Sequence, residues 1–241
     1  MPSLHIALRA QEVSGISLAN KMVILVDTLF GTTSVVDALG NGASAVVIAT
    51  DKNEVDREAA KYKEGEYQIF SEVFPQSPDA ATLLPNTLHD GALNQKTLIY
   101  HAASLASALK LVEGAAEIYA GSLLNGPKLA HALAQKNHNP DILFVCAGAG
   151  DNFNLEDFFC IGYLIDLFGT ALGPGINFSD AALAARYLYR GGRPTESLLT
   201  SRIGRAFVQN ELEDNVRYAA QRDKYEVVPQ FIEGKFILNK E

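Results

Sequence analysis

The sequence predicts a three-layer α/β/α domain with a duplicated βαβ core. Three observations carry that expectation. Apolar runs of strand length, rich in Val and Ile, recur at 23–26, 45–49, 97–100, 117–120 and 141–146. A helical pattern follows each run at short distance, and strands alternating with helices build layered α/β structures. The stretch Ser34 to Leu39 before Gly42-Ala43 is echoed by Ser104 to Leu109 before Gly114-Ala115, which suggests an old duplication. Any two βαβ units also share small residues where helix meets sheet, so the echo alone leaves both origins open. The chain is expected to be one domain over 1–241, divisible into similar subdomains at about 1–95 and 96–241.

Taken in order, Leu4 to Leu8 alternates weakly and predicts an edge strand. Val23 to Val26 is a buried strand, and Ser34 to Asn41 a helix closed by Asn41-Gly42. Ala45 to Ala49 is a strand, Asn53 to Lys63 a polar-faced helix, and Gln68 to Phe70 a short strand leading to Ser71-Glu72. Phe74 to Asp79 is too proline-rich for regular structure. Thr97 to Tyr100 is a strand, Leu105 to Glu113 a helix, Glu117 to Ala120 a strand and Lys128 to Gln135 a helix. Asp141 to Cys146 is a strand, Ala147 to Asp151 a glycine loop and Leu155 to Phe168 a helix. Helices are expected at Ser179 to Tyr189, Ser197 to Gln209 and Glu213 to Arg222, with one or two short strands in Val227 to Leu238.

Composition narrows the function classes. The net charge is -8 and no Lys/Arg cluster exceeds a pair, which argues against a nucleic-acid surface or an anionic membrane as partner. The two cysteines, Cys146 and Cys160, make no disulfide framework, so a reducing cytoplasm is the expected compartment. Met1 to Ala10 lacks a signal-peptide pattern, and Phe158 to Leu172 is interrupted by Asp166 and short for a membrane span.

The chemistry is expected around Asp27, which ends a strand and precedes Gly31-Thr32-Thr33-Ser34 and a helix. In open α/β sheets ligands bind beyond strand carboxyl ends, and a helix N-terminus favours anions. The same residue types are ordinary helix caps, so a site and a cap are both open on this stretch. Cys146-Ala147-Gly148-Ala149-Gly150 offers Gly-x-Gly but has Phe153 where a dinucleotide fingerprint wants a third glycine. Cys146 reads as a small core residue. Asn154-Leu155-Glu156-Asp157 places a cap and two acids at a helix start. His101, just past a strand end, is the histidine placed to shuttle a proton. The five histidines are dispersed, so a zinc site is not expected.

In this order the pieces become recognisable. Val26-Asp27-Thr28-Leu29 with Thr32-Thr33 and Ala38-Leu39 with Gly42-Ala43 come first, then Glu72, Ser77-Pro78 and Gly121-Ser122 with Asn125. Cys146-Ala147-Gly148 with Glu156-Asp157 and Gly162 follows, then Ser201, Gly204-Arg205, Asp214, Asp223 and Val228-Pro229. Over nearly its whole length the chain resembles the 2-phosphosulfolactate phosphatase, or ComB-like, family. The resemblance implies an α/β/α fold with a duplicated core, a Mg²⁺-dependent phosphatase acting on a phosphorylated 2-hydroxy acid, and an oligomer, here expected as a homodimer. On that basis Asp27, Glu72, Glu156, Asp157 and Asp223 are expected to converge as metal ligands, since a hard cation takes oxygen donors. Asp27, Glu156, Asp157 and His101 are the expected catalytic groups. Gly31, Thr32, Thr33, Ser34, Ser104, Asn125 and Gly148 are the expected substrate contacts.

The departures fall in the expected pocket. Phe30-Gly31 stands where the family usually reads Arg-Ala, so a guanidinium able to grip an anion is missing. His101 to Ala106 replaces a Thr-Thr-Asn-Gly-Thr stretch, and the loop after Glu72 is shortened to Phe74-Pro75-Gln76-Ser77-Pro78. Three functions compete: a phosphatase for a less charged or more apolar phosphorylated metabolite, a different reaction on the same metal scaffold, and a binding or regulatory protein that has lost catalysis.

Overall fold

The computed structural model describes residues 3–72, 88, 93–136, 141–148 and 152–238. The strands are β1 (Ser3–Ala7), β2 (Lys21–Val26), β3 (Ala45–Ala49), β4 (Tyr67–Ser71), β5 (Thr97–His101), β6 (Glu117–Gly121), β7 (Asp141–Cys146), β8 (Asn177–Phe178), β9 (Pro229–Ile232) and β10 (Lys235–Leu238). The helices are α1 (Gly31–Gly40), α2 (Lys52–Ala59), α3 (Ala103–Val112), α4 (Gly126–Ala134), α5 (Leu155–Ala171), α6 (Asp180–Gly191), α7 (Pro194–Thr200), α8 (Arg202–Gln209) and α9 (Glu213–Ala219). Short 3-10 turns lie at Ala10–Val13 and Leu123–Asn125.

One sheet holds the described strands in the order β4-β5-β3-β10-β9-β6-β2-β7-β1-β8. Strand β2 shows why the apolar runs become sheet. Met22 to Val26 are wholly buried, as a parallel strand covered on both faces requires. Val23 and Leu25 point into a core with Val35, Leu39, Leu105 and Leu109 of α1 and α3. Met22, Ile24 and Val26 point the other way, into a core with Leu129 of α4 and Phe159, Leu164 and Phe168 of α5. Each such side chain contributes about 1.5–3 kcal/mol on burial. Helix α2 packs Val55 over Ala49 and Ile99 on that second face. The result is the expected α/β/α sandwich.

The two expected βαβ units have the same connectivity. β2 leads through α1 to β3 across β6, β9 and β10, and β5 leads through α3 to β6 across β3, β10 and β9. Exchanging β2 with β5, β3 with β6 and β9 with β10 gives the order of these six central strands read from the other end. The ladders β3–β10, β10–β9 and β9–β6 are antiparallel, so the two half-sheets run in opposite senses. Both crossover helices lie on one face.

Three element expectations need correcting. β1 is not an edge strand, because β7 and β8 pair with its two sides. The expected helix Ser197 to Gln209 is two helices broken at Ser201, whose hydroxyl accepts from the Gly204 N–H at 2.9 Å. A Cβ on Gly204 would stand 1.8 Å from the Leu198 carbonyl oxygen, so the break depends on glycine. The last expected helix, Glu213 to Arg222, stops at Ala219. Among the described residues no helix is long and apolar enough to cross a membrane.

Candidate active site

A cavity of about 300 Å³ opens where four strands end. Asp27 follows β2, Gly148 follows β7, Glu72 follows β4 and His101 ends β5. The first two strands belong to one half-sheet and the last two to the other, so the site lies where the pseudo-symmetric halves meet. Helices α1 and α3 also begin side by side there: Leu105 reaches within 3.1 Å of where a Gly31 Cβ would be. Leu29, Phe30, Ala103, Ser104, Asn154, Glu156 and Ile203 complete the wall.

Local backbone fixes Asp27 in place. Its carbonyl accepts from Thr32 N–H at 3.1 Å and Thr33 N–H at 3.3 Å, so the main chain starts α1 and the side chain is left over. The N-cap residue of α1 is Phe30, which makes no side-chain cap bond, and the Asp27 carboxyl lies beside the Gly31 and Phe30 N–H groups. A Cβ on Gly31 would lie 2.6 Å from Asp27 Oδ2, and one on Gly148 would meet Asp157 Oδ2 at 2.9 Å and Asp27 Oδ1 at 3.1 Å. Only glycine permits those approaches. Asp157 then ties the loops together, accepting from Thr28 N–H at 2.8 Å and Gly148 N–H at 3.1 Å.

The electrostatics are those of carboxylates crowded away from water. Burial raises the Asp27 pKa well above the usual range, and the Glu72 charge raises it further. The nearby Gly31 N–H draws it back in part. Burial pushes Glu72 up to about 8, with Asp157 adding to the shift. Burial also raises Glu156, while Ser201 and the Arg202 guanidinium oppose it. Asp157 is raised by burial and then by Asp27 and Glu156. Such groups take up protons or a cation. Asp27 Oδ2 and Glu156 Oε2 are buried with no hydrogen-bond partner among the described residues.

Several expected site residues take other roles. Gly31, Thr32, Thr33 and Ser34 are buried and do not form the described cavity wall. Thr32 Oγ1 donates to the Gly121 carbonyl at 2.8 Å, and the N–H groups of Thr32, Thr33 and Ser34 go to the Asp27 and Phe30 carbonyls, while the buried Thr33 and Ser34 hydroxyls have no partner among the described residues. Asn125 is also spent: its Oδ1 accepts from Ser122 N–H at 3.0 Å and its Nδ2 donates to the Ala120 and Val227 carbonyls. Asp223 does not converge with Asp27. It accepts from the Tyr163 hydroxyl and faces a separate cavity beside Pro127, Lys128 and His131. His101 lines the cavity, but Nε2 lies 3.1 Å from the Thr50 carbonyl and Nδ1 3.0 Å from Ser71 Oγ. A carbonyl can only accept, which assigns the proton to Nε2 and leaves neither nitrogen free to shuttle. Asp157 accepts backbone N–H groups on both oxygens and is not part of the cavity wall. Ser104 and Gly148 do line the cavity. Cys146 is buried and its thiol pushed up by burial, as a core residue. Ser77, Pro78 and the glycine-loop residues 149–151 lie outside the described residues.

Sequence reading missed four contributors. Asn154 does not cap α5 with its side chain. It turns into the cavity, where its Oδ1 accepts from Arg202 Nη2 at 3.1 Å. Phe207 packs against Phe30 with ring centroids 4.9 Å apart and ring planes tilted by 51°, which backs the aromatic wall at Phe30. Tyr100 lies buried near Glu72, Asp27 and Ser34. No motif spacing signals Arg202, Phe207 or Tyr100, because each reaches the site from a distant element, and Asn154 was legible only as a cap of α5.

A family model described as 2-phosphosulpholactate phosphatase matches residues 8–234. The chain belongs to this family. A protein of Symbiobacterium thermophilum named "Probable 2-phosphosulfolactate phosphatase" is 27% identical over 231 residues, covering 92% of this chain and 95% of its own. Proteins of the same name from Clostridium acetobutylicum and Clostridium tetani are 25% and 24% identical, covering 97% and 96% of this chain and 99% and 98% of their own. Those names describe phosphoric monoester hydrolases. The family resemblance read from the ordered motifs thus stands, at low identity.

Proposed function

We propose that this chain is a Mg²⁺-assisted phosphatase for a small organic phosphate monoester. The observation that carries the reading is the pair of buried, unpartnered carboxylate oxygens, Asp27 Oδ2 and Glu156 Oε2, in residues that line one cavity. Among the described residues no group of three or more His, Cys, Asp or Glu is arranged to hold a metal. Mg²⁺ takes one or two carboxylates and fills its octahedron with water and phosphate oxygens, so the Asp27 and Glu156 pair is a sufficient protein ligand set. Asp27 and Glu156 would hold the ion, and it would supply charge neutralisation for the transferring phosphoryl group.

The remaining chemistry belongs to the chain. Ala103 and Ser104 open α3 into the cavity, and Ala102 gives that helix no side-chain cap. Its first-turn N–H groups and the Ser104 hydroxyl, which has no partner among the described residues, are donors for phosphate oxygens. The start of α3, which lines the cavity, would thus serve as the anion-binding turn in place of α1, whose first-turn N–H groups are spent on the Asp27 and Phe30 carbonyls. Burial raises the Glu72 pKa to about 8 in the metal-free protein, and its carboxyl is the group placed to give a proton to the leaving alkoxide. The attacking water's proton then restores the carboxyl. Phe30 and Ile203 exclude water from one wall and favour a substrate with less negative charge than a sulfonated phosphate.

The test is phosphate release from a panel of small monoesters with and without Mg²⁺. Release that needs Mg²⁺ and disappears in Glu156→Gln is expected. A folded wild-type protein that releases phosphate from no ester in the panel refutes the reading and leaves a ligand-binding role on the same scaffold.

A further inference from the structure

We propose that the substrate's organic body is uncharged and hydroxyl-bearing, and that it lies in a second chamber of the cleft. The inference rests on the phosphatase reading and specifies its substrate class. A chamber of about 220 Å³ adjoins the carboxylate cavity and shares Ala103, Ser104 and Gly148 with it. The two spaces therefore meet at the start of α3, where the phosphate donors are. From that junction the chamber runs along one face of α3, past Ser107 and Leu111 at four-residue spacing, to Gln11 of the first 3-10 turn.

The wall chemistry selects the occupant. Among the described residues the chamber has no charged side chain in its lining. A second anionic group on the substrate would find no cation there and would sit beside the carboxylates of the first cavity. Ser104 and Gln11 have side chains without partners among the described residues, so they can bond hydroxyls. Ser107 cannot contribute in this way, because its hydroxyl donates to the Ala103 carbonyl at 2.8 Å. Leu111 and Ala108 give the outer part an apolar surface. The occupant is a phosphorylated polyol or similar neutral alcohol, anchored by its phosphate and extended along α3.

The experiment compares methyl phosphate, glycerol 1-phosphate and ribitol 5-phosphate, with 3-phosphoglycerate as the carboxylate-bearing counterpart. Wild type, Ser107→Phe and Ser107→Ala are measured for kcat/KM and for ligand-induced shift in Tm. Ser107 is exposed on α3, so a Phe there fills the chamber without entering the core. In wild type, kcat/KM should rise about tenfold or more from methyl phosphate to ribitol 5-phosphate, the scale of one or two added hydrogen bonds. Ser107→Phe should erase that rise and leave methyl phosphate unchanged, while Ser107→Ala keeps it. An unchanged ribitol-to-methyl ratio in Ser107→Phe overturns the inference, as does preference for 3-phosphoglycerate over glycerol 1-phosphate. If no ester turns over, a ribitol 5-phosphate shift in Tm that Ser107→Phe abolishes supports the chamber and sinks the phosphatase. Absence of that shift in wild type sinks both.

Discussion

Replacing Asp27 with Asn should stabilise the metal-free protein while removing its activity. The carboxyl is 4% exposed, Oδ2 has no partner among the described residues, and both Glu72 and Glu156 disfavour its charge. Helix α1 does not need the side chain, since the Asp27 carbonyl receives the first helical N–H groups. Asn keeps the shape, removes the charge and brings an amide that can donate to a neighbouring carboxylate. The relief of an uncompensated buried group is on the order of 1–2 kcal/mol after the cost of any unmade amide bond. For a domain of this size that is a rise of about 2–8 °C in Tm. Because the folded pKa of Asp27 is raised, the wild type loses stability as pH rises through it and the Asn variant does not. The gain should therefore be clear at pH 8 in chelator and vanish in acid. Phosphate release should fall by at least ~10²-fold, the scale of losing one charge-stabilising group. Thermal denaturation at both pH values beside an activity assay decides the matter. A Tm lowered by several degrees at pH 8, with activity retained, would refute the reasoning.

Metal-free stability of the wild type should also fall between pH 4.5 and about 8, by on the order of several kcal/mol, because the raised Glu72 carboxyl must ionise over that window. Glu72→Gln should flatten the slope in denaturant titrations. Phe30→Arg should raise affinity for dianionic substrates by restoring a guanidinium at the wall; an unchanged KM for phosphosulfolactate would count against Phe30 as a determinant of charge preference. Gly148→Ala should cost about 1–3 kcal/mol and lower kcat, since its methyl would press on Asp157 and Asp27. A variant as stable and active as wild type would show that the loop yields.

Much of the fold was legible because β2, β3, β5, β6 and β7 carry their own apolar signal. The order of the strands was not, since it depends on which edges β9 and β10 bridge. In the cavity wall, Asp27, Glu72, Glu156 and Gly148 were legible from the ordered motifs, and Ser104 from its place at the start of the second helix of the internal echo. The errors share one cause: whether a polar group is free depends on partners from remote elements. His101 is occupied by Ser71 and Thr50, Asn125 by Ala120 and Val227, and Thr32 by Gly121. Asp223 turns to Tyr163 because the chain after α9 runs past Leu123 and not past Asp27. Arg202 entered the site only because a helix broke at Ser201.

The central claim is that Asp27 and Glu156 share a cation. Calorimetric titration of Mg²⁺ into chelator-treated protein at pH 8 tests it most directly. One site per chain is predicted, with proton release, and loss of the site in Glu156→Gln but not in Asp223→Asn. No binding heat in a folded wild-type protein, or a site that survives Glu156→Gln and is lost in Asp223→Asn, would contradict it.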